Sequence, residues 1–215
     1  MGVVVSSLLT HAFPYGTSRL ARRLVQLFLG LVLYGFSAAL LVLAGLGLDP
    51  WDVFHQGLAR HSSLTIGTWT IIVSAAVLLL WIPLRQMPGL GTVCNAVVIG
   101  LVMNITLALL TPPSQLVVRA TILVAGVVLN GVATGAYIGA GMGPGPRDGL
   151  MTGLAKRGLS LRVARTGIEL TVLAAGFLLG GSVGIGTVLY ALGIGPLAHI
   201  FIPLLAVDEA VTGRQ

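Results

Sequence analysis

The sequence predicts an all-α membrane protein in which six transmembrane helices form two inverted three-helix repeats, each carrying a short Pro-Asp half-helix that is re-entrant or interfacial. Three observations predict it. First, 56% of the 215 residues are apolar and only 8% are charged, whereas soluble domains carry about a quarter charged residues, so the apolar surface exceeds what a core of this size hides. Second, charge-poor stretches recur along the chain, several of them long enough for the roughly twenty residues that a helix needs to cross hydrocarbon. Third, the chain repeats itself. The segment Gly45-Leu-Gly47-Leu-Asp-Pro50-Trp-Asp52-Val-Phe-His-Gln-Gly57-Leu58-Ala59-Arg60 returns ninety-six residues later as Gly141-Met-Gly143-Pro-Gly-Pro146-Arg-Asp148-Gly-Leu-Met-Thr-Gly153-Leu154-Ala155-Lys156, with seven of sixteen positions identical. Apolar bias does not supply the matching Pro and Asp.

The match extends outward through Arg23/Arg119 and Gly30/Gly126 at the same offset, and through Gly89/Gly184, Gly91/Gly186 and Thr92/Thr187 at an offset one shorter. The domains read as a leader over 1–18, repeat 1 over 19–110, repeat 2 over 115–206 and a cytoplasmic tail over 207–215.

Taken in order, the leader has an apolar start but no basic residue before it, with Arg19, Arg22 and Arg23 behind it, so it reads as a mobile or interfacial segment rather than a cleaved signal peptide. The first crossing is 21–44. A Gly-rich approach and Pro50 at the first helical position then open the half-helix 50–61, whose dozen residues are too few to span. Charge-free Ser62–Leu84 holds the second crossing, 66–84, and the third, 91–111, is ended by Pro112 and Pro113. The fourth, 118–140, leads to the second half-helix, 146–157. The fifth, 164–181, contains Glu169 and stops at Gly180-Gly181, and the sixth is 186–206. Small residues at four-residue spacing, as in Gly126/Asn130, Gly131/Gly135/Gly139 and Gly176/Gly180, predict close helix packing.

An N-terminus in the cytoplasm leaves Arg19, Arg22, Arg23, Arg85, Arg147, Lys156, Arg157, Arg162, Arg165 and Arg214 inside, against Arg60 and Arg119 outside, so both termini are expected inside. Three crossings per repeat is an odd number, which turns the second repeat over relative to the first. The basic residues lie between apolar spans and read as topology signals and lipid contacts, so nucleic acid is excluded as a partner. The single cysteine, Cys94, lies in an apolar run and reads as a packing residue.

Asp52 and Asp148 are the leading site residues, because a carboxylate at membrane depth is expensive. Each also falls at the third helical position, behind Asp49 or Gly145 as N-cap, so capping and direct function both fit. Gly45, Gly47, Gly141 and Gly143 leave backbone N–H groups near helix N-termini, an arrangement that binds anions, although the aspartates partly neutralise it. A zwitterionic or proton-coupled solute fits better than a simple anion. His55 lies one turn after Asp52, with Met151 as its counterpart. Asn104 and His199 are counterparts in the last crossings, where they are expected to hydrogen-bond between helices or line a solute path. Glu169 follows Arg165 by one turn, which suits ion pairing, with proton coupling as the alternative. No metal-ligand spacing, cofactor motif or nucleophile elbow occurs, so no metal, cofactor or enzymatic role is expected.

The two Gly-x-Gly-x-x-Pro-x-Asp segments, with Gly89-Leu-Gly-Thr92, resemble the bacterial YczE/YitT-like integral membrane proteins over about residues 19–206. The resemblance implies a multi-pass protein of the bacterial plasma membrane and, because the chain stops at Gln215, the short YczE-type branch without the soluble C-terminal domain. The function expected is a small secondary transporter or exporter of a small-molecule solute, bound between the half-helices and open to proton coupling. The bilayer is its other partner, and a homo-oligomer stays open. The alternative is a non-transporting scaffold or assembly partner whose half-helices lie flat, with Trp51 and Arg147 at headgroup depth.

Overall fold

A computed structural model describes residues 19–207; the predicted leader 1–18 and the tail beyond Val207, including Arg214, lie outside the described residues. These form eight helices and no strand: α1 (Leu20–Ala44), α2 (Pro50–Arg60), α3 (Ile66–Leu84), α4 (Leu90–Leu109), α5 (Leu116–Gly139), α6 (Pro146–Ala155), α7 (Leu161–Leu178) and α8 (Ile185–Leu205). Every long helix starts and stops within three residues of its predicted crossing. Five of them, α1, α3, α4, α5 and α8, are long and apolar enough to cross a membrane. The sixth, α7, carries Arg162, Arg165 and Glu169 among its 18 residues, which sets it apart from the others.

Local chemistry explains the limits. The Asp49, Thr65 and Ser160 side chains accept first-turn N–H groups of α2, α3 and α7. At α4 and α8 the N-cap is glycine, and the Thr92 and Thr187 hydroxyls accept instead from the Gly89 and Gly184 N–H groups, at 3.2 and 3.3 Å. Gly45 ends α1 in the left-handed conformation, and Pro112 and Pro113 follow the end of α4.

The long helices α1 and α5 form the central pair, with α4 on α1 and α8 on α5. The stripe Gly131/Gly135/Gly139 on α5 faces Leu197, Phe201 and Leu205 of α8. Beside this group, α2 and α6 each pack on both α3 and α7, and Gly176 of α7 lies against the Phe54 backbone of α2. Leu41, Leu48, Val53, Leu123 and Ile194 fill the core between the central pair and α2. Trp51, Val77, Trp81 and Leu150 fill the core among α2, α3 and α6.

The two halves exchange equivalent contacts. The Arg23 guanidinium of α1 donates to the Ala140 and Gly141 carbonyls at the end of α5, at 3.1 and 3.3 Å. Arg119 of α5 donates to the Ala44 and Gly45 carbonyls at the end of α1, at 2.7 and 2.8 Å. The Gly91 N–H bonds the Met142 carbonyl at 2.7 Å, and the Gly186 N–H bonds the Leu46 carbonyl at 2.8 Å. Gly47 and Gly143, at φ 111° and 110°, occupy a conformation that disfavours a side chain. A Cβ at Gly47 would lie 2.6 Å from the Gly184 nitrogen, and one at Gly143 would lie 2.8 Å from the Thr92 hydroxyl.

This exchange gives Arg23 and Arg119 a packing role beside the topology reading. Helix C-termini carry carbonyls without intrahelical partners, and a guanidinium with several donors satisfies two at once. Arg23 is accordingly buried, at 1% exposure.

Candidate functional site

The N-terminus of α2 is built from its first three residues. Asp49 caps the helix, its carboxylate accepting from the Trp51 and Asp52 N–H groups at 3.0 and 3.2 Å, while Pro50 occupies the first helical position. With these backbone donors taken by Asp49, the Asp52 carboxylate turns to side chains. It is 2% exposed, and its Oδ1 lies 3.0 Å from His55 Nδ1.

His55 is fully buried and its Nδ1 also lies 3.1 Å from the Thr70 hydroxyl on α3. Thr70 donates its one proton to the Ile66 carbonyl at 3.1 Å. The network therefore assigns the His55 proton to Nδ1, donating toward Asp52 and Thr70. His55 Nε2 and Trp51 Nε1, one helical turn apart, have no hydrogen-bond partner among the described residues.

From the other half comes Arg147, the second residue of α6. Its Nη1 lies 3.7 Å from Asp49 Oδ1, its Nη2 lies 3.8 Å from Asp52 Oδ1, and its guanidinium carbon sits 5.0 Å from the Trp51 ring centroid. These separations exceed hydrogen-bond length, so the contact is one of charge and of cation on aromatic face. Two carboxyl groups thus face one guanidinium where the short helices meet. Tyr34 of α1 and Tyr190 of α8 belong to the same electrostatic neighbourhood.

Asp148, one residue on, is half-buried and accepts from the Tyr137 hydroxyl of α5 at 2.6 Å. The two predicted aspartates thus have different partners: a histidine and an arginine for Asp52, a tyrosine for Asp148.

The remaining candidates separate from this cluster. The Gly45 and Gly141 N–H groups bond the Val42 and Ile138 carbonyls, so they do not present free donors to a solute, contrary to the anion-binding expectation. Gly47 and Gly143 serve close approach between the halves. Asn104 bonds between helices as expected, accepting from the Gly67 N–H at 3.0 Å and donating to the Thr68 hydroxyl at 3.2 Å. His199 departs from the interhelical expectation: it is exposed on α8, because its ring lies on the outward face of that helix. Glu169 accepts from Arg165 at 2.9 Å, the pairing that its spacing suits.

Asp49 and Arg147 were not among the sequence-derived site residues. Asp49 reads locally as a cap and Arg147 as a topology charge; the structure places the latter against two carboxylates and an indole at the meeting of two helices. Their signal lay in the mismatches of the repeat, where Asp49 faces Gly145 and Trp51 faces Arg147 in the alignment, so that the acid of one copy and the base of the other each lack a counterpart.

Residues 21–203 match a family of unknown function, DUF6198. An uncharacterized protein of Haemophilus influenzae is 42% identical over 181 residues, which cover 84% of this chain and 83% of that protein. The uncharacterized membrane protein YczE of Bacillus subtilis is 36% identical over 179 residues, 82% of this chain and 83% of the relative. A second protein of that organism, the uncharacterized YyaS, is 28% identical over 184 residues, 82% of this chain and 90% of the relative. No solved structure matches. Taken with the apolar helices, these likenesses place the chain among membrane proteins, and it belongs to the YczE-like DUF6198 family.

Proposed function

We propose that the protein is a small secondary transporter whose solute binds where α2 and α6 meet, within six crossings arranged as two inverted repeats. One observation carries the reading: Arg147 of one short helix lies against Asp49 and Asp52 of the other, with the two carboxylates 4% and 2% exposed. Buried charges at such a junction are expensive to retain and mark solute or ion paths.

Depth supports a re-entrant placement of α2. Trp51 packs against Val77, eleven residues into α3, which at 1.5 Å per residue is about 16 Å from that helix's start. A segment lying flat at headgroup depth does not reach that far. The two carboxyl groups suit a solute with a cationic or zwitterionic group that takes the place of Arg147 beside them. Release of Arg147 then loosens the tie between the halves, which couples occupancy to rocking of one half against the other. Asp52 with His55, and Asp148 with Tyr137, are the groups through which a proton would couple. N- and C-termini in the cytoplasm and a bacterial plasma-membrane location complete the proposal.

The test compares metabolites inside and outside cells that make the wild-type chain, the Asp52→Asn chain or neither. A reproducible solute imbalance that the wild type creates and Asp52→Asn does not is the expected result. Identical profiles in all three, with both chains present in the membrane, reject transport and leave the scaffold role.

A further inference from the structure

A groove of about 380 Å³ lies between α1 and the end of α5. Val25 and Leu29, which line it, are 60% and 66% exposed, so it opens outward along the flank of α1. On a helix that crosses a bilayer such a flank is covered by lipid, and what the groove can select is which lipid.

The lining changes character along its length. Arg22, the third residue of α1, stands at one end, and below it Val25, Leu29 and Leu33 face Val132 and Ala136 of α5. Eleven residues separate Arg22 from Leu33, which at 1.5 Å per residue is about 16 Å, half of a hydrocarbon layer roughly 30 Å thick. The groove is therefore as long as one leaflet, with a cation at the end where headgroups lie.

Its two polar side chains differ in what they have left to offer. The Gln26 amide donates to the Ala136 and Leu205 carbonyls at 3.0 and 2.6 Å, which ties α1 to α5 and α8 and uses both its protons. Arg22 is exposed, and no described residue bonds or pairs with its guanidinium. Arg19, one turn earlier, gives Nη1 to the Val207 carbonyl at 3.4 Å and brings a second positive charge to that end. The other half provides a contrast: the counterparts of Arg19, Arg22 and Ala136 are Gln115, Val118 and Leu40. Cations and a small wall residue thus occur together in one half only.

We propose that the groove holds an anionic glycerophospholipid, its phosphate against Arg22 and one acyl chain between α1 and α5. Basic residues where helices leave the membrane attract anionic headgroups, and a zwitterionic headgroup, which carries its own cation, matches the site less well. This concerns lipid binding alone and does not rest on the transport reading.

The full chain in non-ionic detergent is titrated with dioleoyl phosphatidylglycerol or dioleoyl phosphatidylcholine, and bound lipid is counted by native mass spectrometry. The wild type should bind the first about fivefold more tightly, the scale of one basic residue beside an anionic headgroup. Arg22→Gln, at an exposed position, should erase most of that preference, whereas Arg85→Gln, exposed at the end of α3, should leave it in place. Ala136→Leu gives the wall the residue of its counterpart and should lower the binding of both lipids. Equal binding of the two lipids by the wild type overturns the proposal. So does an equal loss in Arg22→Gln and Arg85→Gln, the mark of diffuse charge, or displacement of phosphatidylglycerol by an equal concentration of glycerol 3-phosphate, the mark of a free-anion site. A dimer that forms without lipid and excludes phosphatidylglycerol overturns it as well. If Ala136→Leu does not fold, the Arg22→Gln result decides alone.

Discussion

Arg23 and Arg119 cap each other's half: the first holds the carbonyls of Ala140 and Gly141, the second those of Ala44 and Gly45. Hydrogen bonds to a charged donor are worth about 1.5–3 kcal/mol each when a buried partner is left bare. Arg23→Met and Arg119→Met should therefore both lower the thermal midpoint of the detergent-solubilised protein. Arg23→Met should lower it further, because Arg23 is the more deeply buried. Equal midpoints for both variants and the wild type would remove the caps from the stability account.

Asp49 and Asp52 should respond differently to neutralisation. Asp49→Ala removes the cap of α2 and should cost about 1 kcal/mol from that source alone. Asp52→Asn keeps the shape and one acceptor oxygen while deleting the charge. It should leave the thermal midpoint within a few degrees and abolish solute accumulation. Loss of fold in Asp52→Asn, read by circular dichroism and size exclusion, would make Asp52 a structural residue.

Coupling between the halves is testable at Arg147. Arg147→Gln strips the guanidinium from two buried carboxylates and should destabilise the protein; adding Asp52→Asn should restore part of the loss. Contacting charges in double-mutant cycles show coupling of about 0.5–3 kcal/mol. A strictly additive double variant would mean that Arg147 and Asp52 do not feel each other.

Gly47 and Gly167 give a contrasting pair. At Gly47 the positive φ and the 2.6 Å approach to the Gly184 nitrogen both oppose a side chain, so Gly47→Ala should destabilise by about 1–3 kcal/mol. Gly143→Ala should behave alike. Gly167→Ala meets nothing and lies inside a helix, where exchanging glycine for alanine stabilises by about 1 kcal/mol. Thermal midpoints of the three variants decide the matter.

The helix limits were legible because they depend on neighbours in sequence: Pro50 and Pro146 start the short helices, Gly45 ends α1, and Pro112 stands beyond the end of α4. The Arg165–Glu169 pair was legible for the same reason of local spacing, and Asn104 because a polar side chain inside an apolar crossing needs a partner on a neighbouring helix. The partners of Asp52 were only half so. His55, three residues away, is fixed by helical geometry, but Arg147 arrives from ninety-five residues downstream through the packing of two short helices, and no periodicity encodes that meeting. His199 misled because repeat alignment matches positions and not the faces they present: its counterpart Asn104 turns inward to α3 while the histidine turns out.

The crossed arginine caps also bear on how the chain is made. Residue i of one half touches residue j of the other, and i's counterpart touches j's counterpart, which is the isologous pattern of a C2 dimer, here joined by its own peptide chain. While a ribosome is synthesising the first hundred residues, the carbonyls ending α1 wait for an arginine that has not yet been added. Folding of either half is accordingly an assembly step. Two separately encoded halves, co-expressed, carry every contact needed to meet.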